Sequence, residues 1–277
     1  MRTTVRLLVV CLLSAVAVFI PVTNQTVDAQ SAVLYDNFNS LLIDPTRWIG
    51  AEEVDPFFGP PPLGAAEIFR GLVAGQLVLS HRLNGNLTNE NGNSHILRLN
   101  VRNPQPITFM QVTTKVQNYV LTTCPNNVAA GAVRIRLNGV FFNSDSSTPE
   151  DITGNVIARA EIFRNTASSD ALNVFRVRVR VVRCLDANCD NSDIFNVDMG
   201  TVNVGQSLTF SVRWDEPNAR FLFRRDNNPE VQITYPWSVY PIQGSRSLLI
   251  SSFVANCANP TTVASMIATF DNFYVNP

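Results

Sequence analysis

Lysine is almost missing from this chain: Lys115 is the only one, so twenty of the 21 basic residues are arginine. Histidine occurs twice, at His81 and His95, and neither stands near a cysteine in the sequence. No spacing of the kind that holds zinc is therefore available. Charge is sparse, at 16% of residues, and balanced, with 21 basic residues against 22 acidic ones. That balance excludes a nucleic-acid binder driven by electrostatics, and a mean hydropathy near zero excludes a disordered chain and a multi-span membrane protein. Runs of Ala, Glu, Lys and Leu, the strong helix formers, are lacking, whereas 16 Pro and 13 Gly accompany abundant Val, Thr and Asn. A β-rich protein is the expectation. No G-x-S-x-G, H-E-x-x-H or phosphate-loop motif occurs.

The only long apolar run is Leu7 to Ile20, preceded by Arg2 and Arg6 and followed by Pro21 and a polar stretch ending at Ala29. Basic, apolar and small-residue-terminated regions in that order predict a secretory signal peptide over residues 1–29. The run is too short for a membrane span of ~20 residues. The expectation is a secreted, surface or periplasmic chain with no membrane insertion after cleavage, and residues 30–277 as one domain.

Cysteine usage agrees with export. Without Cys11, four remain, Cys124, Cys184, Cys189 and Cys257, an even number suited to an oxidising compartment. Three connectivities are open. The favoured one joins Cys184 to Cys189 across the short turn between them and Cys124 to Cys257 between distant loops.

Fourteen strand-like segments recur along residues 33–275, separated by turn formers such as Asn84-Gly85-Asn86 and Asp226-Asn227-Asn228-Pro229. No segment keeps a helical period for three turns. In Phe175-Arg176-Val177-Arg178-Val179-Arg180-Val181 the valines point one way and the arginines the other, because strand side chains alternate with period two. Val133-Arg134-Ile135-Arg136-Leu137 repeats this. Many short strands with one apolar face predict an all-β, two-sheet antiparallel sandwich.

Several stretches resemble a known superfamily when read in order. Tyr35-Asp36-Asn37-Phe38-Asn39 precedes Ile43-Asp44-Pro45-Thr46-Arg47-Trp48; Gly75-Gln76-Leu77-Val78-Leu79 follows; Leu208 to Asp215 leads into Asn218 to Phe223; and Ala268 to Val275 closes the chain. Together they are similar to the concanavalin A-like lectin/glucanase superfamily, the jelly roll shared by legume-type lectins, laminin G-like modules and family 16 glycoside hydrolases. The resemblance implies that the last strand lies beside the first, that Trp48 and Trp214 belong to the core, and that ligands sit on the concave sheet face. It also implies a structural Ca²⁺ near Asp271, Asp36 and the Gly75 carbonyl, a site short of the six to eight oxygens calcium takes; folding requires no cofactor. Fold by itself does not give function.

The enzymes of that superfamily use carboxylates spaced along one strand as E-x-D-x-x-E or E-x-D-x-E, since retaining hydrolysis needs two of them about 5 Å apart. That motif is absent here. Glu161 is the only acid between Val156 and Arg164, and its neighbours two positions away are Arg159 and Phe163. It is the one weak catalytic candidate. Asp186, Asn188, Asp190 and Ser192 alternate like the start of an EF-hand loop, but Asn191 and Val197 stand where that loop needs Gly and Glu. They read as a disulfide-pinned turn.

Two binding features remain. Arg134, Arg136, Arg159, Arg176, Arg178 and Arg180 fall on the polar faces of the central strands and could form a ladder whose guanidinium forks bind carboxylates or sulfates. Tyr235, Trp237 and Tyr240 gather around two prolines, where rings stack on sugars if exposed or plug the sandwich if buried. The expected function is non-catalytic binding of a polysaccharide or glycoconjugate, with anionic polysaccharide favoured by the arginines. The alternatives are a divergent hydrolase or lyase using Glu161, and a structural or adhesive surface protein with protein partners.

Overall fold

The computed structural model of the chain describes residues 32–49 and 66–276. The expected signal peptide lies outside the described residues. Fifteen strands follow one another: β1 (Val33–Asp36), β2 (Trp48–Ile49), β3 (Ala66–Val73), β4 (Gln76–Asn84), β5 (Gly92–Val101), β6 (Phe109–Leu121), β7 (Ala132–Asn143), β8 (Asn155–Asn165), β9 (Val174–Cys184), β10 (Ser192–Asn203), β11 (Ser207–Asp215), β12 (Arg220–Arg225), β13 (Val231–Thr234), β14 (Arg246–Ala255) and β15 (Val263–Val275). The helical content among the described residues is one 3-10 turn, Glu216–Asn218, and no helix is long and apolar enough to cross a membrane.

The strands form two antiparallel sheets. One has the order β13-β12-β11-β6-β15-β4-β3, with β1 also paired to β15; the other runs β10-β9-β8-β7-β14-β5-β2. Their inner faces close over one hydrophobic core, giving the expected jelly-roll sandwich. Period-two alternation decides which residues enter it. Phe175, Val177, Val179 and Val181 of β9 are fully buried, as are Ala158, Ala160 and Ile162 of β8, while the arginines between them point outward.

The residues that carried the family resemblance form a latch at the start of the chain. Asp36 accepts hydrogen bonds from the Phe38 backbone N–H and the Trp48 indole N–H, each at 2.7 Å. Trp48 then packs against Phe38 and Phe273 with ring centroids 5.8 and 5.3 Å apart. First and last strands pair, Leu34 opposite Tyr274. Trp214 joins the core more loosely, packing against it while half-buried.

Both favoured disulfides are present, Cys124–Cys257 across 133 residues and Cys184–Cys189 across five. The Asp186 carboxylate turns the short one, accepting from the backbone N–H groups of Asn188, Asp190 and Asn191. A carboxylate so occupied caps a turn, in agreement with the reading of this segment as a pinned loop. Since loop-closure entropy grows with loop length, opening Cys184–Cys189 by Cys184→Ser plus Cys189→Ser should cost only about 2 kcal/mol. Urea unfolding of that pair against the parent protein checks this, and a loss of cooperative folding would contradict it.

Candidate functional site

The outward face of the seven-stranded sheet gathers the arginines into rows that cross the strands. In the middle row Arg178 of β9 stands opposite Glu161 of β8, which stands opposite Arg136 of β7. The row continues through Leu249 of β14 to Arg98 of β5. On one side, Arg180, Arg159, Asn138, Ser247 and Asn100 form a second row. On the other, Arg176, Phe163, Arg134, Ser251 and Ile96 form a third. All six arginines of the expected ladder therefore share one face, and successive residues of a row are ~4.8 Å apart.

Glu161 is the hub. Its side chain is 0% exposed; Arg136 Nε reaches Oε2 at 2.9 Å, Arg178 Nε donates to Oε1, and an Arg180 terminal nitrogen lies 3.8 Å from Oε1. Burial pushes its carboxyl pKa up, but the fields of Arg136, Arg159 and Arg178 and the Arg136 hydrogen bond outweigh that and hold it at about 2. Arg178 also stacks its guanidinium 3.8 Å over the Phe163 ring. Arg176 at the rim is satisfied separately, with two hydrogen bonds to Asp170 at 2.6 and 2.8 Å and Asp198 at 3.5 Å.

One carboxylate cannot neutralise the five guanidinium groups of Arg134, Arg136, Arg159, Arg178 and Arg180. Burial first, then repulsion from Arg136, pulls Arg134 down to about 10 and Arg159 well below the usual arginine range; burial likewise lowers Arg180. Arg134 thus remains charged at neutral pH. The rows beside Glu161 also hold buried polar atoms with no protein partner among the described residues: Nε of Arg134, Arg159 and Arg180, Oγ of Ser247 and Ser251, and Oδ1 of Asn100. Native proteins leave few such atoms, and each asks for a ligand or solvent partner. Exposure rises from the β14 floor, where Ser247 and Ser251 are buried, to 44% for the Arg176 side chain near the open edge.

The aromatic loop does not contribute a stacking platform beside this face. Tyr235 is 5% exposed and accepts a hydrogen bond from the Trp214 indole at 2.9 Å. Trp237 stacks on Tyr235 and packs against Phe195, with centroids 6.1 and 5.6 Å apart. Only Tyr240 keeps a large exposed area, 40%, while its backbone pairs with Asn143. The loop plugs one end of the sandwich because its rings find the Phe142, Trp214 and Phe221 cluster nearby.

The residues expected around calcium all belong to the eight-stranded sheet. Both Asp36 oxygens face N–H donors, Asp271 of β15 sits opposite Thr113 of β6, and Gly75 turns the β3–β4 hairpin with a φ of 74° beside the Asn39 side chain. Among the described residues no group of three or more His, Cys, Asp or Glu is placed to hold a metal ion.

Pattern reading of the sequence passed over Asn138, Ser247, Ser251 and Asn100. The only local signal was a pair of serines four residues apart, and so on one strand face, enclosing an apolar run, Ser247-Leu248-Leu249-Ile250-Ser251. Glu150 and Asp151 line a cavity of about 530 Å³ together with Asn155 and Gln243. A smaller cavity of about 210 Å³ lies at the opposite end of β8, between Phe163, Asp170 and Arg176.

No protein-family model matches the chain, and no curated protein matches it. Among solved structures it is similar to LamAcat from Zobellia galactanivorans, at 11% identity over 87% of this chain and 96% of that one, with a TM-score of 0.41. It is also similar to a Bacillus licheniformis β-glucanase, at 10% identity over 88% and 96% with a TM-score of 0.41. A third is the Emp46p carbohydrate recognition domain, at 11% identity over 83% and 98% with a TM-score of 0.35.

Proposed function

We propose that this protein binds an anionic polysaccharide on the outward face of the seven-stranded sheet and does not cleave it. The observation that carries the reading is the excess of guanidinium over carboxylate on that face, with Nε donors of Arg134, Arg159 and Arg180 buried and unpaired. Guanidinium forks match carboxylate and sulfate oxygens, and arginine stays charged where lysine would lose its proton on burial. An incoming anion relieves the repulsion that Glu161 leaves uncompensated. Contacts from the aromatic loop reduce to Tyr240.

Glu161 is poorly suited to catalysis. A general acid at neutral pH needs a raised pKa, and this one is held at about 2. A nucleophile must reach the sugar, and this one is covered by its arginines. The other carboxylates of the face, Asp170 and Asp198, are bound to Arg176.

Electrophoresis in gels cast with alginate, dextran sulfate or a neutral glucan tests the reading. Retardation is expected in the two anionic gels only, weakening with salt as exposed charge interactions do. Arg159→Gln plus Arg180→Gln should weaken it by roughly ten-fold or more, on about 1.5–3 kcal/mol per charged hydrogen bond. Because burial and repulsion among the arginines outweigh the attraction of these two groups to Glu161, the substitution should leave thermal stability level or raised, the mark of residues kept for binding. Equal retardation in neutral gels, or anion binding indifferent to the substitution, would sink the proposal.

A further inference from the structure

We propose that the cavity at the Asn155 end of β8 is a subsite for an uncharged, hydroxyl-rich sugar, so that the ligand of the arginine face is a mixed chain of anionic and neutral units. This rests on the anionic-polysaccharide reading above and names the ligand more closely.

The cavity, about 530 Å³, is within the usual size of small-ligand pockets. Its walls combine the carboxylates of Glu150 and Asp151, the amides of Asn155 and Gln243, and the aliphatic Ile152 and Ile242. Carboxylates accept hydrogen bonds from hydroxyl groups, amides both give and accept them, and the isoleucines suit the C–H face of a sugar ring. The same carboxylates repel a uronate or sulfate, so the anionic units of the chain are kept from this pocket. A metal ion is the poorer occupant, because a third of the named wall is hydrocarbon and calcium takes six to eight oxygens.

Asn155 gives the second, independent sign of a ligand. It is 9% exposed, and its Oδ1 accepts from Asn143 Nδ2 at 3.2 Å. Its NH2 group has no protein partner among the described residues and is left as a donor for the cavity. The support around it is rigid. Asn143 Oδ1 accepts from the backbone N–H groups of Asp145 and Ser146, both at 2.8 Å, and Gly154 N–H donates to the Cys184 carbonyl at 2.8 Å, beside the disulfide. A site held in place in this way loses little entropy when it binds.

Strand geometry joins the pocket to the arginines. Asn155, Ile157, Arg159 and Glu161 alternate along β8 on its outward side. Asn155 and Arg159 are four residues apart, ~13 Å along the strand, the reach of a short oligosaccharide. An acid group held by Arg159 thus leaves a nearby unit of the same chain at the pocket.

The test compares binding of the intact protein to alginate, in which every unit is a uronate, and to hyaluronan, in which uronates alternate with an uncharged N-acetylhexosamine. Hyaluronan is expected to bind at least about ten-fold tighter, the worth of one or two hydrogen bonds. Glu150→Gln plus Asp151→Asn should weaken hyaluronan about ten-fold while leaving alginate equal or slightly tighter, since two repelling charges are gone. Gln243→Ala, which changes no charge, should weaken hyaluronan alone. Arg159→Gln should weaken both polymers. Equal affinity for the two polymers, or a parallel change in both when the pocket is altered, overturns the subsite and leaves the arginine face standing. Binding of both polymers that ignores Arg159→Gln overturns the arginine face itself, and binding of neither polymer overturns both.

Discussion

Glu161→Gln is expected to destabilise this protein more than any other single change on the arginine face, by about 3–5 kcal/mol, because it leaves several buried cations without their counter-ion. For a domain of this size that corresponds to a fall in the thermal midpoint of roughly 6–20 °C, at 2–4 °C per kcal/mol. The geometry fixes the direction. Arg136 and Arg178 each spend a hydrogen bond on this carboxylate, and Arg180 is within 3.8 Å. An amide in its place keeps the shape but removes the charge and offers N–H groups to guanidinium donors. Removing a catalytic carboxylate commonly leaves stability unchanged or raised, so calorimetry separates the two roles directly. A midpoint for Glu161→Gln equal to that of the parent would refute the structural role and reopen the hydrolase reading. Pairing the change with Arg178→Gln should recover part of the loss, since the two residues share one interaction.

The same carboxylate makes a contribution that depends on pH. Its folded pKa is lowered from 4.5 to about 2. The unfolded state therefore takes up a proton first, and the stabilisation is complete above about pH 4.5 and disappears as the pH falls towards 2. That difference amounts to about 3 kcal/mol, consistent with the lower bound of the mutational estimate.

A second large acid effect should begin at higher pH, from the core. His81 of β4 and His95 of β5 meet between the two sheets, with Nδ1 atoms 3.5 Å apart, and His81 Nε2 is hydrogen-bonded to the Ser252 hydroxyl of β14. Burial, with His95 adding to it, lowers the His81 pKa from 6.5 to about 3. His81 is thus neutral when folded and readily charged when unfolded. Its share of the stability is intact above about pH 6.5 and is lost as the pH drops to 3, up to about 4–5 kcal/mol. Urea midpoints taken at pH 7 and pH 4 should fall sharply for the parent protein and much less for His81→Gln, which keeps a hydrogen-bonding side chain but cannot titrate. A slope unchanged by that substitution would place the acid sensitivity elsewhere. The two effects are separable, since His81→Gln acts between pH 6.5 and 3 and Glu161→Gln between 4.5 and 2.

The limits of sequence reading are physical. Fourteen of the fifteen strands were legible because alternation with period two is a local property. The one passed over, β2, is a two-residue strand set by the pairing of Trp48 with Val101. The outward arginines of β7, β8 and β9 could be grouped because those strands are consecutive in the chain and joined as neighbours. Both disulfides could be chosen, the short one from the five-residue spacing and the long one as the remaining pair. The fate of Tyr235 was undecided, since a loop of rings and prolines has the same pattern whether it faces solvent or turns inward onto Trp214 and Phe142. Composition and alternation, then, determined by themselves an all-β sandwich with an arginine-rich outer face. Tertiary structure alone decided that Ser247 and Asn100 join Arg159 in one row and that Asn155 opens into a cavity, because β14 and β5 reach β7 by pairings distant in sequence. Local periodicity carries no information about which distant strands become neighbours, and a binding site is made of such neighbours.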